Sequence, residues 1–269
     1  MLFVALLLLG NIGYVPILSL FDAISYDLLG SEKRNKWGQQ RLWGNVSLAL
    51  FAVISVVLMD ALKFENSSKH FNIAFYMYGA LFLIMAAILC NAKISNELYC
   101  GNVFKGEINI VRDSKVRFFL IVVTYLGMLS GGIEAFLFWF LEAELNNKLT
   151  IIPGLCMLSN CVGEIICFYF SGYIIKCIGH LKCIYIAFIA HFIRLTSYSF
   201  LTHAWYVLPV ELLNGITFSL MWAAATSYSS LMAPRGISGT MQGVLNGLYF
   251  GLGKYICILS TRFSVLILS

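Results

Sequence analysis

The feature of this sequence that most limits its fold is a series of long apolar runs separated by short polar breaks. Eight runs approach the length of about 20 residues that a helix needs to cross the hydrocarbon core of a bilayer. They cover roughly residues 2–21, 42–59, 71–90, 118–141, 151–175, 183–202, 206–231 and 238–259. The runs lack the alternation of apolar and polar residues that is typical of a barrel strand. Because only helices and closed barrels satisfy the backbone in lipid, they predict an all-α, polytopic membrane bundle of about eight transmembrane helices.

The composition supports lipid as the solvent of this chain. Apolar residues make up 60% and charged residues 12% of the sequence, whereas a soluble domain carries about 25% charged residues. The formal net charge is +5, but the basic residues lie in the breaks between apolar runs and form no single patch. We therefore expect the lipid bilayer as the partner of this chain, and no nucleic acid.

Chemistry on a bound cofactor or metal is not expected from the residue pattern. The eight cysteines fall mostly inside apolar runs without Cys-x-x-Cys spacing, and the four histidines do not cluster. No serine motif or pair of histidine and acid stands near a membrane edge, where a membrane enzyme such as an acyltransferase would place it. The sequence therefore indicates a protein that is not an enzyme and has no cofactor, metal site or catalytic residue.

The distribution of lysine and arginine predicts how the chain is oriented. Basic residues concentrate in the breaks around 33–41, 91–117 and 176–182, and such residues are enriched on the cytoplasmic side. Asn66 begins an Asn-Ser-Ser sequon in a break assigned to the opposite side, where N-glycosylation occurs, so Asn66 is a candidate glycosylation site. We expect an integral, multi-pass protein of the plasma membrane or an endomembrane.

The longest polar segment, residues 91–117, carries five basic residues and divides the apolar runs into groups of three and five. We interpret it as a cytoplasmic linker. Residues 1–90 would then form the remainder of an N-terminal helical bundle, and residues 118–269 a C-terminal bundle of five helices. The sequence begins inside one apolar run and closes on another that is too short to span, so we expect truncation at both ends.

Several motifs carry a resemblance to a known family. They are Gln40–Gly44 (QRLWG), Phe136–Glu142 (FLFWFLE), Ser171–His180 (SGYIIKCIGH), Leu208–Leu213 (LPVELL), Met221–Ala224 (MWAA), Ala233–Pro234, Gln242–Gly243 and Gly251–Gly253. In these stretches the chain resembles the major facilitator superfamily, and more closely the lactose-permease-like branch that contains major facilitator superfamily domain-containing protein six. The resemblance extends over nearly the whole chain.

This resemblance implies a fragment that covers the fourth to eleventh of the family's twelve helices, with the last helix missing. It also implies a multi-pass transporter that moves a small solute by alternating access, with symport of protons as a further expectation. Two alternatives remain open. One is a receptor or scaffold that retains the fold without transporting anything, and the other is a truncated, inactive gene product.

Four ionisable residues inside the apolar runs are candidates for function: Glu134, Glu164, Arg194 and Glu211. A charged side chain at membrane depth costs about 2.5–3.5 kcal/mol on insertion scales. Arg194 and Glu211 lie on consecutive helices joined by a short turn, so we predict an ion pair, which would serve packing or function. Three acids against one base favour a neutral carboxyl, and Glu134, Glu164 and Glu211 are the candidates for proton coupling. A protonated Glu bonded to a backbone carbonyl is the structural alternative.

The last apolar run carries small residues and amides at helical spacing. Glycines recur every four residues at Gly239, Gly243, Gly247 and Gly251, a pattern that predicts close packing of another helix on this face. Gln242 and Asn246 are also four residues apart and would either line a cavity or bond across helices. Trp139 and Trp222 would either stack on a solute in that cavity or pack in the core.

Overall fold

The computed structural model describes residues 36–61, 70–91, 113–143, 151–232 and 238–254, together with 19–22, 24–25, 29 and 256. Every regular element in these ranges is helical. The first five are α1 (Trp37–Ala61), α2 (His70–Asn91), α3 (Ser114–Ala143), α4 (Ile151–Ile178) and α5 (His180–Ser199). Two composite helices follow, α6 (Ala204–Met232) and α7 (238–253).

These helices confirm the all-α membrane fold. Four of the described segments are long and apolar enough to cross a bilayer, and they belong to α3, α4, α5 and α6. The helices α1 and α2 coincide with the predicted runs at 42–59 and 71–90. Most of the first predicted run, 2–21, lies outside the described residues. The described helices therefore begin and end close to the apolar runs that predicted them.

The chain divides into two compact units. One consists of residues 1–45 with 100–269, and the other of residues 46–99. The boundaries fall after residue 45, inside α1, and after residue 99. The predicted division into bundles of residues 1–90 and 118–269 stays a prediction. The proposed linker at 91–117 stays a prediction, because residues 92–112 lie outside the described ranges. The helices α3 to α7 belong to the first unit, which holds the candidate site.

The core of this unit lies between α3, α4, α5, α6 and α7. Its fully buried side chains include Val123, Leu126, Phe168, Trp222 and Tyr249. Other large apolar side chains point outward, such as Tyr173 at 72% and Phe192 at 69% exposure. Exposed apolar surface of this extent is expected where lipid is the solvent.

The helix α6 is irregular at the level where it carries polar residues. A short 3₁₀ turn, Ala204–Tyr206, leads into the α-helical Val207–Glu211. A turn at 212–213 precedes a π-helical segment, Gly215–Leu220, before regular α-helix resumes at Met221–Met232. Wider π turns inside α-helices recur at functional sites, because they change the direction of side chains.

Close approaches at glycines join α4 with α6 and α3 with α7. A Cβ atom on Gly215 of α6 would collide with the carbonyl oxygen of Gly163 on α4. A Cβ atom on Gly127 of α3 would lie 2.5 Å from the carbonyl oxygen of Tyr249 on α7, and one on Gly253 would lie 2.7 Å from that of Thr124. These contacts require residues without a side chain, as in other membrane helices that pack through glycine.

Three glycines of the strip predicted on α7 make no close contact with other described residues. A Cβ atom on Gly243, Gly247 or Gly251 would meet no described atom within 4 Å, and Gly253 makes the close contact instead. Gly239 lies half-buried at the start of the helix. Four-residue spacing shows which glycines share a face of α7 but not which face a neighbouring helix covers, and the described close contact is made at Gly253.

Two nearby glycines of α7 allow a test of its contact with α3. We expect Gly253→Val to destabilise the folded chain by about 1–3 kcal/mol, because the added methyl groups would push α7 away from α3. Gly251→Val introduces the same side chain two residues earlier, in open space, and should change stability little. Thermal unfolding of both variants in detergent measures the difference. Equal melting temperatures would show that the contact between α3 and α7 does not stabilise the chain.

Candidate functional site

A network of buried polar side chains centres on Arg194 of α5, which is 4% exposed. Its Nη2 donates to Glu211 Oε2 at 2.8 Å, and its Nη1 donates to Asn214 Oδ1 at 2.7 Å. Its Nε donates to the hydroxyl of Tyr198 at 2.8 Å, one turn further along α5. Three side chains accept short hydrogen bonds from the guanidinium, whose N–H donors are held in a rigid plane.

Glu211 of α6 is fully buried and has both oxygens engaged. Oε2 accepts from Arg194, and Oε1 accepts from the Tyr198 hydroxyl. The structure thus brings together the two residues for which the sequence predicted an ion pair. A buried pair offsets its desolvation only when further hydrogen bonds complete it, and Tyr198 supplies one of these. Arg194 and Tyr198 together therefore occupy both oxygens of the Glu211 carboxyl group.

Asn214 connects this pair to Glu164 of α4. Its Oδ1 accepts from Arg194, while its Nδ2 donates to Glu164 Oε1 at 2.6 Å. The two sides of one amide therefore contact a guanidinium and a carboxylate. Sequence reasoning missed Asn214, although its position one turn after Glu211 could have indicated it. The amide makes Glu164 part of the network.

The glycine contact between α4 and α6 explains why this bond forms. Gly163 directly precedes Glu164, and Gly215 directly follows Asn214. Because the two backbones approach closely at these glycines, the side chains of Glu164 and Asn214 can reach each other. The turn and π segment of α6 then place Thr217 Oγ1 3.4 Å from Arg194 Nη1. The backbone geometry of α6 therefore determines which polar side chains contact Arg194 and Glu164.

The third candidate acid, Glu134, lies apart from the network. Its side chain on α3 is 61% exposed and pairs with Lys254 Nζ at 2.6 and 2.8 Å. A further ion pair joins Asp22 to Arg41 at 3.6 Å. Among the described residues, Glu164 is the interior acid that has no basic group within 4 Å, and its described side-chain partner is the neutral amide of Asn214.

A second polar chain lies beside the first, one turn earlier on α5. His191 is fully buried, and its Nδ1 donates to the carbonyl oxygen of Ala187 at 3.1 Å. Its Nε2 lies 3.2 Å from the Ser130 hydroxyl. Ser130 Oγ also lies 2.9 Å from the hydroxyl of Tyr249. These contacts join α3, α5 and α7 through buried polar side chains.

The predicted cavity residues are buried near the middle of the unit. Trp222 is fully buried and stacks on Phe218, with ring centroids 6.2 Å apart. Gln242 Nε2 bonds across helices to the carbonyl oxygen of Thr226 at 2.9 Å, whereas Asn246 Nδ2 donates within α7 to the carbonyl oxygen of Gln242 at 3.0 Å. The side chain of Trp139, and Asn66, lie outside the described part of the chain.

An open apolar groove of about 340 Å³ runs between α3 and α5. Leu129, Ile133 and Phe136 line one side, and Leu195 with Tyr198 lines the other. Tyr198 thereby links the groove to the charged network. Within the described ranges, no three side chains of His, Cys, Asp or Glu come together as a metal site would require.

Known proteins resemble this chain over most of its length. The model of the MFS_1 like family matches residues 1–260. Major facilitator superfamily domain-containing protein 6-like protein B of Xenopus laevis is 22% identical over 259 residues, which cover 93% of this chain and 41% of that protein. Major facilitator superfamily domain-containing protein 6-like of Mus musculus is 21% identical over 239 residues, covering 87% and 40%. The chain therefore spans about two fifths of the length of these relatives.

Proposed function

This chain belongs to the MFS_1 like family, and from that premise we propose that it forms part of a multi-pass transporter that moves a small solute by alternating access. The observation that carries the proposal is the buried network of Arg194, Glu211, Asn214 and Glu164. Ionisable groups at membrane depth are costly, and where they are kept they commonly mark pathways for solutes or protons. The bundle would orient the 91–117 segment toward the cytoplasm.

Within this function, we assign proton coupling to Glu164. Glu211 is paired with Arg194 inside the buried network, and Glu134 is exposed beside Lys254. Glu164, in contrast, has a neutral hydrogen-bond partner, so it can bind a proton without breaking an ion pair. Binding of a proton to the Glu164 carboxyl group would alter its hydrogen bond with Asn214, and the Oδ1 of the same amide contacts Arg194.

The assignment predicts a specific defect for Glu164→Gln. The amide keeps the shape of the side chain but cannot exchange a proton, so uphill uptake driven by a pH gradient should be lost. Exchange of solute at equal pH and concentration should survive, because it needs no net proton movement. The measurement uses the chain in liposomes with an imposed pH gradient and a panel of labelled sugars, amino acids, carboxylates and amines.

Glu134→Gln is the matched control, since it makes the same chemical change at an exposed, lysine-paired acid. It should retain pH-driven uptake. Unchanged uphill accumulation in Glu164→Gln would rule out Glu164 as the coupling residue. If no solute of the panel enters liposomes with folded wild-type chain, the transport proposal itself fails and a receptor or scaffold is favoured.

A further inference from the structure

Four exposed basic side chains lie at one end of the helices α3, α4 and α5. They are Lys115 and Arg117 in the first turn of α3, Lys176 in the last turn of α4 and Lys182 in the first turn of α5. The described turns at the opposite ends of these three helices contain no lysine or arginine. The four residues therefore mark one end of the bundle, and we call them the basic rim.

Contacts with α6 hold these helix ends side by side. Tyr228, near the end of α6, packs on Phe119 of α3 with ring centroids 5.1 Å apart and on His180 of α5 at 5.9 Å. His180 Nε2 also lies 3.0 Å from the hydroxyl of Ser227. Gly179 joins α4 to α5 in a tight turn with a φ of 93°, which favours glycine. The basic rim therefore belongs to one packed end of the first unit.

Two exposed tyrosines indicate the depth of the basic rim in the bilayer. Tyr173 lies three residues before Lys176 on α4 and is 72% exposed, and Tyr185 lies three residues after Lys182 on α5 and is 59% exposed. Tyrosine is enriched at the boundary between hydrocarbon and headgroups, where its ring and its hydroxyl both find a suitable environment. Each lysine lies nearer the end of its helix than the tyrosine, so its ammonium group can extend to the headgroups.

Nearby acids do not balance the charge of the basic rim. Asp113, directly before α3, is the one acid in the described turns at this end of α3, α4 and α5, and its Oδ1 accepts from the backbone N–H of Lys115 at 3.0 Å. The salt bridges found among the described residues involve other basic groups, Arg41, Arg194 and Lys254. Four cations against one carboxylate leave this end positively charged.

We propose that the basic rim binds the headgroups of anionic lipids, such as phosphatidylglycerol or phosphatidylserine, in one leaflet of the bilayer. Lysine and arginine next to spanning helices attract lipids with a net negative charge, whereas a zwitterionic headgroup carries no net charge. Because the chain has a membrane fold, such headgroups can reach the rim without a soluble partner. The proposal is independent of transport, so a chain that moves no solute would still show it.

Titration of the purified chain with lipid in a neutral detergent tests this proposal. The probes are phosphatidylglycerol and phosphatidylcholine with the same acyl chains, and inorganic phosphate. We expect saturable stabilisation against heat by phosphatidylglycerol, and binding at least about tenfold weaker for phosphatidylcholine. The difference should shrink as salt is added, because ions screen exposed charges. Equal affinity for both lipids at low salt would overturn the proposal, and so would inorganic phosphate binding as tightly as phosphatidylglycerol.

Two double variants connect the binding to the basic rim. Lys176→Gln combined with Lys182→Gln should weaken binding of phosphatidylglycerol by about tenfold or more, because each cation near the surface contributes to the attraction. Lys176→Arg combined with Lys182→Arg is the matched control, since it keeps both charges and should retain wild-type affinity. Wild-type affinity in the folded Gln variant would contradict the assigned surface.

Substitutions on α3 give an independent measurement. Lys115→Gln combined with Arg117→Gln removes two charges from another helix and should cause a similar loss, so it serves if the first pair does not fold. Asp113→Asn should act in the opposite direction, because it removes the acid while asparagine can still cap the helix. It should bind phosphatidylglycerol a few-fold more tightly. Weaker binding in Asp113→Asn would show that charge does not control the interaction.

Discussion

Replacing Arg194 with Gln should destabilise the folded chain by about 3–5 kcal/mol, because it leaves the Glu211 carboxylate buried without its counter-charge. The loss extends beyond one ion pair, since the guanidinium also donates to Tyr198 and Asn214. Unfolding in mixed micelles with increasing denaturing detergent measures the difference from wild type. An exposed arginine, Arg117 on α3, provides the matched control, and Arg117→Gln should change stability by less than about 1 kcal/mol.

A second substitution separates the lost pair from the stranded charge. Adding Glu211→Gln to Arg194→Gln removes the unpaired carboxylate, so the double variant should regain a large part of the lost stability. A neutral pair of this kind can hydrogen-bond across the same gap. If the double variant is as unstable as the sum of the two single variants, the buried charge is not the cause. The network would then stabilise the chain through packing alone.

A large side chain at the contact of Gly163 with Gly215 should destabilise the folded chain nearly as much as the loss of Arg194. Gly215→Leu would force α6 away from α4, and we expect a loss of about 3 kcal/mol or more, at the upper end of the cost of overpacking. Gly154→Leu is the control, because Gly154 lies on α4 and a Cβ atom there meets no described atom within 4 Å. Folded yield and melting temperature in detergent report both effects. A Gly215→Leu variant as stable as Gly154→Leu would show that this close approach is not needed.

This variant has a second consequence at the candidate site. Asn214 precedes Gly215, so a displaced α6 should also break the bond from Asn214 to Glu164. The smaller change Gly215→Ala, in those molecules that fold, should therefore impair pH-driven uptake more than exchange. The same uptake assay that tests Glu164 measures this effect.

The membrane helices could be predicted because the length of an apolar run depends only on neighbouring residues in the sequence. The helices α3 to α6 begin and end near the predicted residues. The contact of Arg194 with Glu211 could also be predicted, because consecutive helices joined by a short turn must lie side by side. Hydrophobicity and chain connectivity are sufficient for these two inferences.

The rest of the site depends on geometry that residue spacing does not encode. Glu134 and Lys254 are 120 positions apart, so the exposure and pairing of this acid follow from how α3 meets α7. Asn214 is an ordinary amide in sequence, and it becomes a bridge only where two glycines bring α4 against α6. Spacing placed the glycines of α7 on one face but could not show that the described close contact with α3 is made at Gly253.

The π-helical segment of α6 also changes how the residues after it are rotated relative to those before it. A π turn holds an additional residue compared with an α turn, and one residue of α-helix corresponds to about 100° of rotation and 1.5 Å of rise. Glu211 and Asn214 precede this segment, whereas Trp222 follows it. Converting Gly215–Leu220 to α-helix would therefore rotate and shift Trp222 by about one residue, turning its indole away from the rings of Tyr249 and Phe250 while Glu211 and Asn214 stayed in place.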